Sequence, residues 1–470
     1  MSDADLIPVQ EFAPSEVGEV DLYQKRERIY TRKVEGFFQK VRLFTGWPLL
    51  IGYFVLPWIN WKGTQAVLFD LPARKFRIFE LTFWPQDFPM LAWLLMIGAF
   101  SLFTVTVFAG RVWCGYTCPQ TVWTSIFMWA EQVSEGTRNQ RIKLDEGPWT
   151  LNKAGRKVLK HSMWYGFAAL TGITFVGYFT PIRELVLQLP AGEASLWAYA
   201  WSFFFTNATY INAGWMREQV CIYMCPYARF QSVMFDRDTL IVSYDAQRGE
   251  PRGSRKRHQT SQEAGLGDCV DCQLCVQVCP TGIDIRDGLQ YQCITCALCV
   301  DACNSVMDKM GYERGLVRYT TENTLEGKPS HILRPRLIGY IVAVLLISAL
   351  FVTVLLNRVP VGLDAIRERG QLFREVSDGR IENVYTLKIR NMSQIDQQYR
   401  VSMRGIPNAV IVGDTEVALK AGEVYALPVA VQAARVDLTA PNMDVYFEVR
   451  ALDDESVTDT AESRFVGPFN

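Results

Sequence analysis

The stretch CVDCQLCVQVCP, residues 269–280, is followed by CITCALCVDACN, residues 293–304, with the same spacing of four cysteines. Three closely spaced thiolates bind one iron–sulfur cube, and a fourth ligand arrives from another direction, which the other run supplies. The doubled run therefore predicts a bacterial-type two-cluster ferredoxin domain with crossed ligand sets. One [4Fe–4S] cluster takes Cys269, Cys272, Cys275 and Cys303, and the other takes Cys293, Cys296, Cys299 and Cys279.

Zinc is the alternative occupant of these runs, because Cys-x-x-Cys pairs also bind zinc. Two zinc sites need no tripled two-residue spacing, whereas the ferredoxin pattern uses every cysteine of both runs. One residue departs from the ferredoxin pattern, since Asn304 stands where the first run has Pro280. This departure weakens the assignment of Cys303.

Five uncharged apolar stretches reach the length of about 20 residues that crosses a hydrocarbon core of roughly 30 Å. They cover residues 43–61, 88–110, 162–182, 194–216 and 337–356. The chain is therefore predicted to be a multi-pass membrane protein with five transmembrane helices. Its net charge of -1 gives no signature of nucleic-acid binding.

Positive charge sets the predicted orientation of these helices. The N-terminus lacks the pattern of a secretory signal peptide, and basic residues, Lys25 and Arg26 among them, cluster before the first span and again between the second and third. By the positive-inside rule both segments are cytoplasmic, although the four basic residues of the 62–87 loop violate the rule mildly. With five spans, residues 217–336 are cytoplasmic and residues after 356 are outside.

A sixth apolar segment, residues 112–130, would reverse this topology if it crossed. Aligned at its cysteines, CPQTVWTSIFM (118–128) lies over CPYARFQSVMF (225–235), so the membrane region contains two pseudo-repeats. The second copy contains Arg229, and an arginine at mid-membrane is costly. We therefore expect both segments to be short helices at the membrane interface.

The remaining four cysteines form two Cys-x-x-x-Cys-Pro pairs, Cys114 with Cys118 and Cys221 with Cys225. Residues four apart on one helix share a face, so each pair is expected to clasp a metal ion. Proline suits the first turn of a new helix, so Cys118 and Cys225 are predicted to cap helix starts. With Arg111 or Arg217 nearby, these thiols are expected to have a lowered pKa.

Soft thiolates select copper(I), zinc or iron–sulfur clusters, so a metal site is predicted at these pairs. Whether the pairs form one site or two stays open, and inert packing is the structural alternative. Met128, Met224 and Met234 are soft candidate ligands, but packing is the commoner role of such methionines. The three histidines, His161, His258 and His331, do not support a bis-histidine haem, and no G-x-G-x-x-G follows a strand to support a bound nucleotide.

The segment after the last span has the alternation of short strands that is typical of a small immunoglobulin-like β-sandwich, and a docking or stabilising role is expected for it. The predicted fold is thus multi-domain: an α-helical membrane bundle, an inserted two-cluster ferredoxin domain and a C-terminal sandwich. The predicted boundaries are a cytoplasmic N-terminal segment at 1–42, a four-span membrane domain at 43–236, a linker at 237–264, the ferredoxin domain at 265–310, a linker at 311–336, the fifth helix at 337–356 and the sandwich at 357–470.

These features together resemble the cbb3-type cytochrome oxidase accessory protein family, known as CcoG, FixG or RdxA. The resemblance covers nearly the whole chain, from GWPLLIGYFVLPWINW (46–61) and LTFWPQDF (81–88) to GLVRYTTENTLEG (315–327). Both Cys-x-x-x-Cys-Pro pairs and the doubled ferredoxin run belong to it. The membrane ferredoxins of periplasmic nitrate reduction share the core but look unlike this chain, since they lack its last span and exterior domain.

The resemblance implies reduction of copper(II) to copper(I), so that copper reaches an assembling haem–copper oxidase. The location that the resemblance implies is the bacterial cytoplasmic (inner) membrane. The resemblance makes Cys114, Cys118, Cys221 and Cys225 the copper ligands, and it implies copper-transport and oxidase assembly proteins as partners beside membrane lipid and copper ions. A membrane electron conduit between quinol and an external enzyme, and a non-redox copper chaperone, are the alternatives. The electron donor and the oligomeric state, with a homodimer among the options, stay open.

Overall fold

The computed structural model describes residues 28–255, 261–393 and 395–468, so Lys25, Arg26 and the linker residues 256–258 lie outside the described residues. The helices of the first half are α1 (Phe37–Val55), α2 (Phe88–Ala109), α3 (Val112–Tyr116), α4 (Pro119–Glu135), α5 (Arg138–Glu146), α6 (Leu151–Val176), α7 (Ile182–Ala191), α8 (Leu196–Thr209) and α9 (Pro226–Met234). Two π-helical segments, Tyr210–Met216 and Val220–Met224, lie between α8 and α9.

Short strands fill the loop between α1 and α2. They are β1 (Asn60–Trp61), β2 (Thr64–Gln65), β3 (Val67–Asp70), β4 (Lys75–Ile78) and β5 (Leu81–Phe83). The last three form one antiparallel sheet, and Phe69 of β3 donates its backbone N–H to the carbonyl of Tyr178, 2.7 Å away. The sheet therefore rests on the turn that follows α6.

The strands β6 (Ile241–Tyr244) and β7 (Val317–Thr320) pair as a two-stranded antiparallel sheet. The chain between them forms the ferredoxin unit. Between these strands lie the short helices α10 (Ala246–Gly249), α11 (Ser261–Ala264) and α12 (Leu274–Gln277) and the longer α13 (Leu298–Met310); α14 (Glu322–Leu325) follows them. Both strands fall in segments that the sequence predicts to be linkers. The unit is therefore larger than residues 265–310, because two short strands far apart in the chain pair across it.

Two helices of the described residues are long and apolar enough to cross a membrane. They are Pro85–Ala109, which contains α2 and has a mean hydropathy of 2.1, and α15 (Pro335–Leu356), whose mean hydropathy is 2.7. The other predicted spans coincide with α1, α6 and α8 with its π-helical extension. These helices include more polar residues, so their crossing, and the count of five, stay predictions.

A buried ionic cluster joins α4 to its neighbours. Glu131 and Glu135 of α4 are both fully buried. Their partners are Arg28, Arg141, Lys157, Lys160 and Arg217, at nitrogen–oxygen distances of 2.6 to 4.0 Å. Burial alone would raise the pKa of Glu131, but the arginines beside it, Arg217 above all, hold that pKa below its ordinary value. Charges at such depth need this pairing, which fixes the helices relative to each other.

The C-terminal domain is an antiparallel β-sandwich. Its strands are β8 (Val361–Arg367), β9 (Arg374–Glu375), β10 (Ile381–Asn391), β11 (Gln397–Arg404), β12 (Val410–Val412), β13 (Glu416–Leu419), β14 (Val424–Ala433), β15 (Asn442–Ala451) and β16 (Thr458–Val466). One sheet has the order β12-β14-β10-β8, with β9 also paired to β10, and the other has the order β13-β11-β15-β16. Alternate residues of β10, such as Tyr385, Leu387 and Ile389, are fully buried between the sheets, as the sequence predicts.

Candidate metal centres

The two cysteine runs adopt the same backbone conformation. Asp271 and Gln273, on either side of Cys272, have φ angles of 51° and 55°, and the equivalent Thr295 and Ala297 have φ angles of 53° and 57°. Such left-handed conformations are uncommon outside glycine and turn the chain sharply. Each run therefore bends around its second cysteine, and we call residues 271–273 the first tip and residues 295–297 the second tip.

Two cavities lie inside the ferredoxin unit. The first is lined by Cys269, Cys272, Cys275 and Cys303 together with mostly apolar side chains. The second is lined by Cys279, Cys293, Cys296 and Cys299, and Cys275 also touches it. The crossed sets expected from the spacing are thus gathered around two separate spaces, although the assignment of each ligand stays a prediction.

The donor set of these cavities fits iron–sulfur clusters. None of the 12 cysteines of the chain forms a disulfide. Burial raises the pKa of Cys275 to about 11 and that of Cys303 to about 12, so these thiols need bound cations to favour their thiolate forms. The ferredoxin pattern uses all eight cysteines that line the two cavities, four at each.

The structure explains why Asn304 replaces the proline of the first run. Cys279 lies beyond the end of α12, where a proline can follow, but Cys303 lies inside α13, which continues to Met310. A proline in a helix interior removes a hydrogen bond and clashes with the preceding turn. Asn304 instead accepts a hydrogen bond from the backbone N–H of Gly315, 3.0 Å away. The departure reflects helix geometry, so it does not count against Cys303.

The two Cys-x-x-x-Cys-Pro pairs, called the membrane pairs from here on, do not lie on single regular helices. The prediction that the two cysteines of a pair share one helix face is therefore wrong. Cys114 belongs to α3, and Cys118 is the N-cap of α4. Likewise Cys221 belongs to a π-helical segment, and Cys225 is the N-cap of α9. The predicted caps are confirmed, and the reason is the proline after each second cysteine, which begins a new helix.

The predicted lowering of the thiol pKa is also wrong for Cys118. Burial raises the pKa of Cys114 to about 11 and outweighs Arg111, which acts in the opposite direction. Burial likewise raises the pKa of Cys118, although the backbone N–H groups of Gln120 and Thr121 oppose it. Arg217 does not face a thiol, because its guanidinium is bound to Glu131 at 2.6 Å.

The two pairs nevertheless converge. Burial raises the pKa of Cys221 to about 12, and the next largest causes are the thiols of Cys118 and Cys114 from the other pair. The four thiols are therefore neighbours. Among the described residues, these four thiols do not surround a point where a single metal ion fits.

The second tip packs directly on the first membrane pair. Gly115, next to Cys114, lies so close to the ferredoxin unit that a Cβ atom placed on it would stand 2.7 Å from the carbonyl oxygen of Ile294 and 2.9 Å from Cα of Cys296. Cys114 and Cys296 belong to one buried cluster of side chains. The repeat offered a signal for this contact, because the first motif has Gly115 where the second has Ile222.

Tyrosines extend this contact to both pairs. Tyr319 of β7 donates its hydroxyl hydrogen to the carbonyl of Thr295 at 2.5 Å and contacts the hydroxyl of Tyr116 at 3.1 Å. Tyr291, two residues before Cys293, donates a hydrogen bond to the carbonyl of Ile222, 3.3 Å away. The cavity lined by Cys293 and Cys296 therefore borders the membrane pairs.

Met128, Met234 and His161, which are three of the other candidate ligands, have partners other than the four thiols. Met128 accepts a hydrogen bond from Thr31, and Met234 is buried against Val107 and Leu337. Met224 is exposed. His161 bonds to the hydroxyl of Tyr210 at 2.8 Å. None of these observations makes a ligand of them.

Family models match three parts of the chain. Residues 216–322 match a family described as a 4Fe-4S dicluster domain, and residues 91–131 match one described as a 4Fe-4S binding domain. Residues 351–468 match the IG-like fold at the C-terminal of FixG. The iron–sulfur character of the ferredoxin unit and the immunoglobulin-like fold of the C-terminal domain are thereby confirmed.

Known proteins are similar over most of the chain. The nitrogen fixation protein FixG of Rhizobium meliloti is 39% identical over 427 residues, which is 83% of this chain and 82% of that protein. Protein RdxA of Cereibacter sphaeroides is 39% identical over 401 residues, or 82% and 84% of the two chains. A crystal structure of a FixG-related protein from Vibrio parahaemolyticus matches with 33% identity and a TM-score of 0.22, covering 23% of this chain and 98% of that one. The protein therefore belongs to the FixG/RdxA family of iron–sulfur proteins.

Proposed function

We propose that the protein is a membrane-bound cupric reductase, which converts copper(II) to copper(I) for delivery to an assembling cbb3-type haem–copper oxidase. The observation that carries this proposal is the close packing of Gly115 on Cys296. It brings the four membrane thiols next to one of the two cavities lined by cysteine. A site for soft metal and a site for an electron-transfer group thus share one boundary.

In this proposal copper(II) is the substrate, and each ion takes up one electron to become copper(I). When bound, the clusters supply reversible one-electron chemistry. Cys114, Cys118, Cys221 and Cys225 bind the ion and lose protons as they do so, and their soft sulfur favours the copper(I) product. The pairs must close around the ion, since they are not closed in the described residues.

The proposal includes the five-span topology and its sidedness. The ferredoxin unit would lie in the cytoplasm and the β-sandwich in the periplasm, as the distribution of basic residues favours. Copper-transport proteins and oxidase assembly proteins would then receive copper(I), and a cytoplasmic donor would supply electrons.

A membrane electron conduit is the second candidate, and a specific observation favours it. Residues 91–131, which include Cys114 and Cys118, match a family described as a 4Fe-4S binding domain. In a conduit these thiols would hold a resident redox group rather than the substrate. The two candidates therefore differ in the iron content of the protein.

The test uses full-length protein purified anaerobically, reduced chemically, freed of reductant and mixed with copper(II) and a copper(I)-specific chelator. Cys114→Ser with Cys118→Ser, and separately Cys221→Ser with Cys225→Ser, should lower copper reduction to the background rate. Serine has a hard oxygen that stays protonated, so soft-metal affinity is lost with little change in packing. The iron content should stay at about eight per chain in all forms.

Thr117→Ser is the matched control, because it changes the same motif without touching a thiol. Wild-type rates in both double variants would show that the pairs are structural. About twelve iron atoms per chain, falling to about eight in the double variants, would favour the conduit. Tight copper(I) binding without any reduction of copper(II) would favour the non-redox chaperone.

A further inference from the structure

Arg111 occupies an unusual position between the two candidate centres. α2 ends at Ala109, Gly110 follows with a φ angle of 58°, and the chain turns so that Arg111 precedes α3. A Cβ atom at Gly110 would also approach the carbonyl oxygen of Leu240 to 3.3 Å. This tight turn directs the side chain of Arg111 inward, where the residue is only 3% exposed.

The other buried arginines of the described residues all have carboxylate partners. Arg141 and Arg217 are bound to Glu131, Arg334 is bound to Asp236, and Arg390 is bound to Asp364. The partners found for Arg111 are neutral. Its Nε donates to Oε1 of Gln231 at 3.1 Å, one terminal nitrogen donates to the carbonyl of Tyr291, and the guanidinium lies 5.5 Å from the centre of the Tyr291 ring.

A buried cation without a counter-charge is strongly unfavourable. Neutral acceptors offset part of this penalty, but four arginines of the same chain show that carboxylates are the usual solution here. The missing negative charge must therefore come from what the neighbouring centres hold. Thiolates bound to copper(I) or to an iron–sulfur cluster carry net negative charge, since four thiolates exceed the charge of either occupant.

The neutral partners of Arg111 connect it to both centres. Oε1 of Gln231, which accepts from Arg111, also accepts a hydrogen bond from Sγ of Cys114 at 3.3 Å. Tyr291, which accepts through its carbonyl, is two residues from Cys293. A single guanidinium thus touches the immediate surroundings of a membrane thiol and of a ferredoxin cysteine.

We propose that Arg111 is the shared counter-ion of the membrane thiol site and of the cluster held by Cys279, Cys293, Cys296 and Cys299. It is a positioning residue, because it acts on both centres through its charge and is not itself a metal ligand. It stabilises the more negative state of each centre, which is the reduced cluster and the thiolate-bound copper(I). The copper half rests on the proposed function, whereas the cluster half does not.

The test measures the reduction potential of each cluster in full-length protein by a redox titration followed by electron paramagnetic resonance. Arg111→Gln should make one of the two potentials more negative by at least about 59 mV, which is a tenfold weaker hold on one electron. The other potential should stay unchanged. Copper(I) affinity, measured by competition with a chelator, should fall about tenfold, the same change in free energy.

Two further variants separate charge from structure. Gln231→Glu is nearly isosteric and supplies the carboxylate that Arg111 lacks, so it should shift the same potential in the same direction even if Arg111→Gln does not fold. Arg111→Lys keeps the charge and should restore most of the native potential. Arg229→Gln, which removes an exposed cation from α9, is the control and should change neither potential.

Unchanged potentials in both Arg111→Gln and Gln231→Glu would overturn the proposal, and so would equal shifts of both clusters, which indicate a general structural change. A shifted cluster potential in a protein that does not reduce copper(II) would leave the counter-ion role intact and overturn the proposed function alone.

Discussion

The two tips of the ferredoxin unit have the same cysteine spacing and the same backbone bend, yet their surroundings are opposite. Asp271, Cys272 and Gln273 of the first tip are all exposed to solvent. Thr295, Cys296 and Ala297 of the second tip are 3%, 8% and 1% exposed, and Gly115 of α3 packs against Cys296.

This difference shows how a pseudo-symmetric unit comes to have two ends with different surroundings. The local sequence determines the bend around each cysteine, and the rest of the chain determines what each tip faces. The second tip faces the membrane thiols of the same chain, and the first tip is exposed to solvent. We therefore expect an external one-electron donor to approach the first tip.

The largest effect is expected from replacing the cysteine at the centre of either tip. Cys272→Ser and Cys296→Ser should each remove about half of the iron, because each deletes one cluster ligand. In protein reduced by a small reductant, only Cys296→Ser should lower copper(II) reduction to background, since it damages the centre beside the thiols. Iron content and the initial rate of copper(I) formation are the two measurements.

Equal initial rates of copper(I) formation in these two variants would contradict a functional difference between the two tips. Copper(I) affinity is the control, and it should stay near the wild-type value in both variants if the membrane pairs remain intact.

Cysteine spacing is enough to predict the ferredoxin unit and the grouping of its eight cysteines around two cavities, because thiolate ligation ties a local pattern to one geometry. Alternating apolar residues are likewise enough for the β-sandwich. The strands β6 and β7 escape prediction, since each has four residues and their pairing joins residues as distant as Ile241 and Thr320. Local patterns carry no information on such a distant partner.

The arrangement of the site is less predictable than its residues. The pKa prediction fails for Cys118 because it considers the helix start and the nearby arginine, whereas the burial of this thiol depends on the tertiary structure. The sequence indicates Arg111 only as a neighbour of a thiol, and no pattern in it indicates Gln231. Their importance follows from a contact between segments more than 100 residues apart, which no motif records.

A smaller effect is expected from a methyl group placed between the second tip and α3. Gly115→Ala puts a Cβ atom against backbone atoms of Ile294 and Cys296, which cannot rotate away, so the two surfaces must separate. We expect reoxidation of the reduced protein by copper(II) to slow severalfold, while chemical reduction through the exposed first tip keeps its rate. Stopped-flow absorbance measures both steps.

Gly155→Ala is the matched control, because Gly155 is also helical and nothing lies within 4 Å of the place where its Cβ atom would stand. Slowing of both steps in Gly115→Ala, or of either step in Gly155→Ala, would contradict a specific role for the contact.

The smallest expected effect concerns Asp301, which anchors the second half of the ferredoxin unit to α1. Gly36 at the start of α1 has no side chain to cap it, and the Asp301 carboxylate of α13 accepts from the backbone N–H groups of Phe38 and Gln39 at 3.2 and 2.8 Å instead. At the equivalent place in the first half, the backbone carbonyl of Gln277 accepts from the N–H of Arg32 at 2.8 Å. The two halves thus hold the N-terminal segment in different ways, one through a side chain and one through the backbone.

Asp301→Ala should lower the free energy of unfolding by about 1 kcal/mol, the usual effect of losing a helix cap, and the melting temperature by about 2–4 °C. Gln277→Ala leaves its backbone acceptor in place, so its melting temperature should stay close to the wild-type value. Iron content should be unchanged in both variants, because neither residue lines one of the two cysteine-lined cavities. Equal melting temperatures for the two variants would mean that the second half is not anchored to α1 through Asp301.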